Sequence, residues 1–212
     1  DKYNFYLISR DIINLNKSKI YLKDKYNIEI NIFQYNLTDN KIPSEIIEYL
    51  TKCNILLFAA GTLNIEEGNL ENFYKVNLTS TIQIIELLLK INKLSNIKQI
   101  ITLSSIAGER GRAKNYIYGA AKAALTQYFS GLRQKLSKKN IIVSTIKLGF
   151  VKTKMTKGKK MNKFLSSDTF EASKLIEKSI KYKKEVIYSK NYYFLSLLIK
   201  LIPEFIFKKL NF

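Results

Sequence analysis

Short apolar runs and longer helical patterns alternate along this chain. Tyr3 to Ser9, Ile28 to Tyr35, Asn54 to Ala59, Ile100 to Leu103, Asn140 to Lys147 and Glu185 to Tyr188 read as strands. Each is rich in Ile, Leu, Val or aromatic residues and closes on a polar or glycine-bearing stretch. Between them the apolar positions take a helical spacing. Ile12, Ile13, Leu15, Ile20 and Leu22 predict one helix, and Glu45 to Thr51, with Ser44 as its cap, a second. Leu70 to Asn92, Tyr118 to about Ser137, and Phe170 to Lys181 predict three more, with a lysine-rich loop at Lys152 to Lys163. Strands alternating with helices imply an α/β fold with a doubly wound parallel sheet.

The stretch IITLSSIAGERGRAKNYIYGAAK, Ile100 to Lys122, concentrates the chemistry. It reads as a buried strand, two serines, a basic loop with glycines, and a tyrosine that opens a helix. Tyr118 and Lys122 are four apart and share one helix face. Ser105 lies at the C-terminal end of its strand, where open α/β sheets bind ligands. An ammonium beside a phenol favours the phenolate, so Lys122 is expected to lower the Tyr118 pKa from about 10. The Ser105 hydroxyl can hold a carbonyl or alcohol oxygen.

At these residues the chain resembles the short-chain dehydrogenase/reductase family, whose signature is Ser-x12-Tyr-x3-Lys. The resemblance implies a Rossmann-like domain over residues 1–190 that moves a hydride between NADP, or alternatively NAD, and a carbonyl or alcohol. Ser105, Tyr118 and Lys122 take the catalytic roles, and Tyr118 and Lys122 also meet the cofactor, Lys122 at the nicotinamide ribose. Asn77, in FYKVNLTST, matches the active-site asparagine that holds a proton-relay water; its bland counterpart is an asparagine that kinks or caps the helix. Ala60 and Gly61 keep half of the Asn-Asn-Ala-Gly turn beside the cofactor. Leu148 to Thr153 matches a Pro-Gly-x-Val-x-Thr segment, in which Val151 meets the nicotinamide amide and Thr153 the pyrophosphate; Leu148 replaces the proline. Arg10 stands where an arginine reads the adenosine 2′-phosphate. Asn36, followed by Leu37, stands where an aspartate often touches adenine. The eight glycines, at 61, 68, 108, 111, 119, 131, 149 and 158, nowhere form the Gly-x3-Gly-x-Gly turn that seats the pyrophosphate. The first strand and this turn, a βα unit of roughly 30 residues, are therefore expected to be missing from the sequence as given.

A narrower resemblance rests on SSIAGERGRAKNYIYGAAKAAL, on KLGFVKTKM and on the apolar C-terminus. It is to the reductase half of decaprenylphosphoryl-ribose 2-epimerase, which reduces a keto sugar on a polyprenyl phosphate. It implies a keto-sugar substrate on a lipid or nucleotide carrier in cell-envelope glycan synthesis. The Glu109 to Lys114 loop would meet a sugar phosphate, or else be a solvated loop. A soluble 3-ketoacyl or small-carbonyl reductase is the alternative, and a non-catalytic membrane-associated scaffold is another. By analogy with the family, a homo-oligomer built on the two long helices is expected.

Composition narrows the classes further. The chain has 212 residues, 46% of them hydrophobic, enough for one α/β domain with its own core. It has no histidine, which excludes His-based triads and His metal sites, and no metal site is expected. The single Cys53, before an apolar strand, reads as a buried structural thiol. Net charge is +19, with lysines scattered among abundant Ile, Asn and Tyr, and no nucleic-acid motif appears. No signal-peptide or spanning pattern occurs, so the cytoplasm is the default. Residues 191–212 form an apolar, aromatic tail interrupted by Pro203. Lys200, Lys208 and Lys209 suit it to a membrane surface; a core or dimer-packing helix is the other reading.

Overall fold

The computed structural model describes residues 3–65, 69–158, 166–189 and 192–210. β1 (Phe5–Ser9), α1 (Ile12–Tyr26) and β2 (Ile30–Gln34) open the chain, followed by α2 (Ser44–Lys52) and β3 (Ile55–Phe58). The next helix runs as α3 (Leu70–Tyr74), a π-helical turn (Lys75–Thr79) and α4 (Ser80–Lys90). Then come β4 (Gln99–Ser105), α5 (Tyr116–Leu136), β5 (Ile142–Leu148), β6 (Phe150–Val151), β7 (Ser166–Ser167), α6 (Thr169–Tyr182) and β8 (Val186–Tyr188). α7 (Tyr192–Leu201) and α8 (Glu204–Phe207) form the tail, and Pro203 separates them as the sequence suggests.

All strand pairs are parallel. β1 pairs with β2, and a second sheet has the order β3-β4-β5-β8. Among the described residues no ladder joins β1 to β3. Phe5 of β1 is 39% exposed and Leu57 of β3 44%. The four-stranded sheet is covered on both faces because its strands alternate. On one face Ile100 and Val143 pack under α4 and α5 with Leu88, Leu125 and Phe129. On the other, Ile101, Ile146 and Ile187 meet Leu175, Ile176 and Ile180 of α6. Ile100 and Ile101 are both fully buried, so β4 is apolar on both faces at its centre.

Helix ends follow the sequence chemistry. Asp11 caps α1 by accepting from the Asn14 backbone N–H at 2.9 Å. Asn27 closes α1 in the left-handed region, which asparagine tolerates better than other non-glycine residues. Ser44 is not the cap of α2. It lies inside the first turn, Pro43 takes the cap position, and the Ser44 hydroxyl donates to Glu45 instead. Cys53 is half-buried, and burial pushes its thiol pKa up, as a structural cysteine requires. Residues 159–163 of the lysine-rich loop and residues 191, 211 and 212 of the tail lie outside the described residues.

Candidate active site

The expected continuous helix from Leu70 to Asn92 is broken by its own asparagine. The Asn77 amide donates to the Phe73 carbonyl at 3.0 Å, the acceptor an α-helical N–H at position 77 would use. The ladder there widens to a π-turn, a feature that recurs at functional sites. The same amide donates to the Thr62 carbonyl at 3.1 Å and accepts from the Thr62 N–H at 3.0 Å. Asn77 is therefore both the kink and the clamp that holds the turn after β3. A Cβ on Gly61 would lie 3.3 Å from Asn77 Oδ1 and 3.5 Å from Lys122 Nζ. Gly61, Asn77 and Lys122 thus meet at one point.

β4 delivers Ser105 and α5 delivers Tyr118 and Lys122. The two elements are locked side by side. Ser104 Oγ donates to the Lys122 carbonyl at 3.1 Å and shares a 2.7 Å bond with Thr126. Two glycines let the connecting turn lie on α5. A Cβ on Gly108 would come within 2.6 Å of the Ala123 nitrogen, and one on Gly119 within 2.8 Å of the Ala107 oxygen. Both contacts are with backbone, so neither position admits a side chain without moving Ser105 relative to Tyr118. The signal for these contacts is the run of small residues around Tyr118; the partner of each is set by tertiary packing.

Ser105 Oγ accepts from the Ala107 N–H at 3.1 Å and donates to the Leu148 carbonyl at 3.2 Å. A substrate oxygen would take the place of Leu148 as its acceptor. Lys122 is 2% exposed, and its Nζ donates to the Leu103 carbonyl at 3.2 Å. It stands 5.8 Å from the centre of the Tyr118 ring. Burial pushes the Tyr118 phenol up to about 12, against a smaller opposing pull from Ser105. The expected lowering by Lys122 does not occur in this state: both groups are desolvated, and burial favours the neutral form of each. The same burial brings the Lys122 ammonium down to about 8.

The remaining sequence-predicted residues fall in two places. Arg10 and Asn36 line one open cleft of about 590 Å³, together with Asp11, Gln34, Tyr35 and Asp39. Leu37 packs against the core, and its carbonyl accepts from Ser80 at 2.6 Å, tying the end of β2 to α4. Ala60 is exposed beyond β3. Val151 and Thr153 lie on the loop after β5, which Thr156 fastens by donating to the Val151 carbonyl at 2.6 Å. The Asp11 carboxyl is held below its ordinary pKa first by its backbone bond to Asn14, against burial, and then by its side-chain bond to Asn14 and the Lys154 charge from that loop.

The basic loop departs from expectation. The Glu109 side chain is buried and receives Lys147 at 2.5 Å, Lys200 of α7, and the Tyr188 hydroxyl at 3.2 Å. Burial works against its carboxylate, but the two lysines outweigh it and hold its pKa low. Arg110 donates to the Ile199 and Ile202 carbonyls at the end of α7, pairs with Glu204 at 2.7 Å, and stacks 3.8 Å from the Phe207 ring centre. Glu109 and Arg110 thus hold the tail rather than standing open to a sugar phosphate. Tyr192 seats the start of the tail, its ring so close that a Cβ on Gly149 would lie 1.9 Å away. Sequence reasoning missed Tyr192, Ser196 and Lys200 as a set, although their spacing of four is one helix face.

Residues 2–163 match the family model of the short chain dehydrogenase. Carbonyl reductase family member 4 of Xenopus tropicalis is 32% identical over 116 residues, covering 53% of this chain and 48% of that protein. The 3-oxoacyl-[acyl-carrier-protein] reductase FabG of Aquifex aeolicus is 27% identical over 145 residues, 64% of this chain and 58% of its own. The chain therefore spans about half the length of the curated relatives it matches. Among solved structures, a ketone-specific alcohol dehydrogenase from Comamonas testosteroni superposes with a TM-score of 0.77 at 18% identity, over 95% of this chain and 86% of that one. A short-chain dehydrogenase from Sphingobium yanoikuyae in complex with NADPH gives 0.77, 18%, 95% and 87%. These two likenesses show the shared α/β fold.

Proposed function

Because the chain belongs to the short-chain dehydrogenase family, we propose that it is an NADP-dependent oxidoreductase acting between a carbonyl and its alcohol. The observation that carries this reading is the convergence of Ser105, Tyr118, Lys122 and Asn77 at the C-terminal edge of β3 and β4, beside Gly61. Bound NADPH supplies the hydride, and the chain supplies everything else. Ser105 Oγ turns from the Leu148 carbonyl to the substrate oxygen and polarises it. Tyr118, which burial keeps protonated well above pH 7, gives its phenolic proton to that oxygen as charge develops there. Lys122 carries positive charge below about pH 8 and stabilises the phenolate that remains. Asn77 holds the water through which the tyrosine is reprotonated.

The residues fit the nucleotide at both ends. Gly61 offers a backbone approach that a Cβ would close off, against Asn77 and Lys122. The cleft with Arg10 and Asn36 suits an adenosine, and Arg10 after Ser9 suits its 2′-phosphate. Leu37, Ala60, Val151 and Thr153 lie along the path between these ends. Between β1 and β3 we infer a place for one further parallel strand and its glycine-rich turn. The absence of a ladder between β1 and β3 among the described residues supports this.

For the substrate we propose a keto-sugar on a lipid or nucleotide carrier, processed in the cytoplasm by a single domain that self-associates through α4 and α5. The named relatives include a 3-oxoacyl reductase, which favours the second reading, a 3-ketoacyl or small carbonyl compound. NADPH titration of the full-length protein, followed by nicotinamide fluorescence, tests the cofactor reading. Arg10→Glu is expected to weaken NADPH binding by about tenfold to a hundredfold and to leave NADH nearly unchanged. Equal loss for both nucleotides would remove Arg10 from the 2′-phosphate site. No binding of either nucleotide would overturn the proposal and favour a non-catalytic scaffold.

A further inference from the structure

The tail is built inside out. Tyr192, Ser196 and Lys200, at successive spacings of four, form the face of α7 that meets the body. Tyr192 and Ser196 are 2% and 4% exposed, and Lys200 pairs with the buried Glu109. The opposite side carries the large apolar side chains. Tyr193, Phe194, Leu197, Leu198, Leu201, Phe205, Ile206 and Leu210 are between 42% and 78% exposed within nineteen residues of sequence. Scattered exposed apolar residues need no explanation, but so many in one short segment mark a docking surface. The segment is not loosely attached. Arg110 holds the end of α7 and stacks on Phe207, and Tyr192 is wedged against Gly149, so the apolar side faces outward on a fixed mount.

We propose that this face docks on an anionic lipid surface. Charge selects the occupant. In residues 192–210 Glu204 is the one acid, and Arg110 neutralises it. Lys208 and Lys209 stand exposed beside the apolar side chains. The loop that meets Tyr192 adds the exposed Phe150 and Met155 with Lys152, Lys154 and Lys157, and no acid. Two copies of such a surface repel each other, whereas acidic headgroups attract both. Aromatic and aliphatic side chains flanked by lysines are the chemistry of an interfacial helix. No described helix is long and apolar enough to cross a membrane, so this contact lies in the interface plane. The mount is the turn after Ser105 and the loop after β5, so docking places the mouth of the candidate site at the lipid surface. The inference does not depend on the substrate and stands even if the reductase chemistry fails.

Flotation of the full-length protein with vesicles tests it. Vesicles of phosphatidylcholine containing phosphatidylglycerol are expected to carry the protein upward, and pure phosphatidylcholine vesicles far less. The exposed triple variant Leu198→Ser, Leu201→Ser, Phe205→Ser is expected to lower the partition coefficient by about a hundredfold. Lys208→Glu with Lys209→Glu is expected to lower it by about tenfold or more and to weaken its salt dependence. Both variants should keep the wild-type Tm and NADPH affinity. Wild-type protein that stays at the bottom with anionic vesicles would overturn the proposal. So would light scattering showing a dimer that the triple variant abolishes, with no vesicle binding, because the face would then be an interface between copies.

Discussion

Tyr118→Phe is expected to lower kcat by about a thousandfold or more while leaving NADPH affinity unchanged. The variant removes one oxygen and keeps a ring that α5 already buries. That oxygen is the proton donor held beside the Ser105 hydroxyl, where a substrate oxygen would sit. Lys122 donates to the Leu103 carbonyl, and Ser105 is a neutral hydroxyl with a far weaker acid form. Stability is expected to stay within about 1 kcal/mol of wild type, since the variant keeps the buried ring and gives up one hydroxyl hydrogen bond, with Ser105. Steady-state rates and nucleotide titration on the same preparation check both halves. A variant that keeps most of its kcat would transfer the acid role to another group. A variant that loses nucleotide binding would show that Tyr118 holds the cofactor rather than the proton.

Lys122→Met is expected to abolish turnover and yet stabilise the protein at neutral pH. Lys122 is 2% exposed and has a single hydrogen-bond partner among the described residues, so its charge is poorly compensated. A fall in its pKa from 10.5 to about 8 corresponds to about 3 kcal/mol against the folded state. Methionine fills nearly the same volume without the charge. It leaves the Leu103 carbonyl without its donor, which gives back about 1 kcal/mol. The net gain should raise Tm by a few degrees at pH 7. Its pH dependence identifies the cause. Between about pH 8 and 10.5 the unfolded wild type binds more protons at this lysine than the folded protein does, so wild-type stability rises with pH there. Above pH 8 the advantage of the variant therefore shrinks, and by about pH 10 it is nearly gone. Thermal melts of both proteins across this range check the claim. An advantage that does not change with pH would place its origin in packing, and a loss of stability at pH 7 would show that the cation is well solvated or paired.

These two residues, with Ser105, are legible in the sequence because local rules place them. A strand end fixes Ser105, and a spacing of four fixes Tyr118 and Lys122 on one helix face. Arg10 and Asn36 are legible for the same reason, each following a strand, and they line one cleft. Asn77 is only half legible. Its position in the motif points to the site, but the π-turn arises because its side chain takes the carbonyl of Phe73, a competition that periodicity does not reveal. The pKa of Tyr118 was beyond sequence reasoning, since proximity of Lys122 and burial of both groups act in opposite directions and only the packed structure sets the balance. The basic loop was misread because composition alone cannot show that Glu109 and Arg110 face the tail, some ninety residues further on.

Hydride transfer itself is the most direct test of the site. Full-length protein would be incubated with NADPH deuterated at the reactive carbon and a panel of keto-sugars and 3-ketoacyl thioesters, and the alcohols read by mass spectrometry. The expected result is one deuterium on the carbinol carbon of at least one product, absent with Tyr118→Phe. Protein that binds NADPH but transfers no deuterium to any carbonyl, with Ser105, Tyr118, Lys122 and Asn77 intact, would contradict the assignment of these residues as a working reductase.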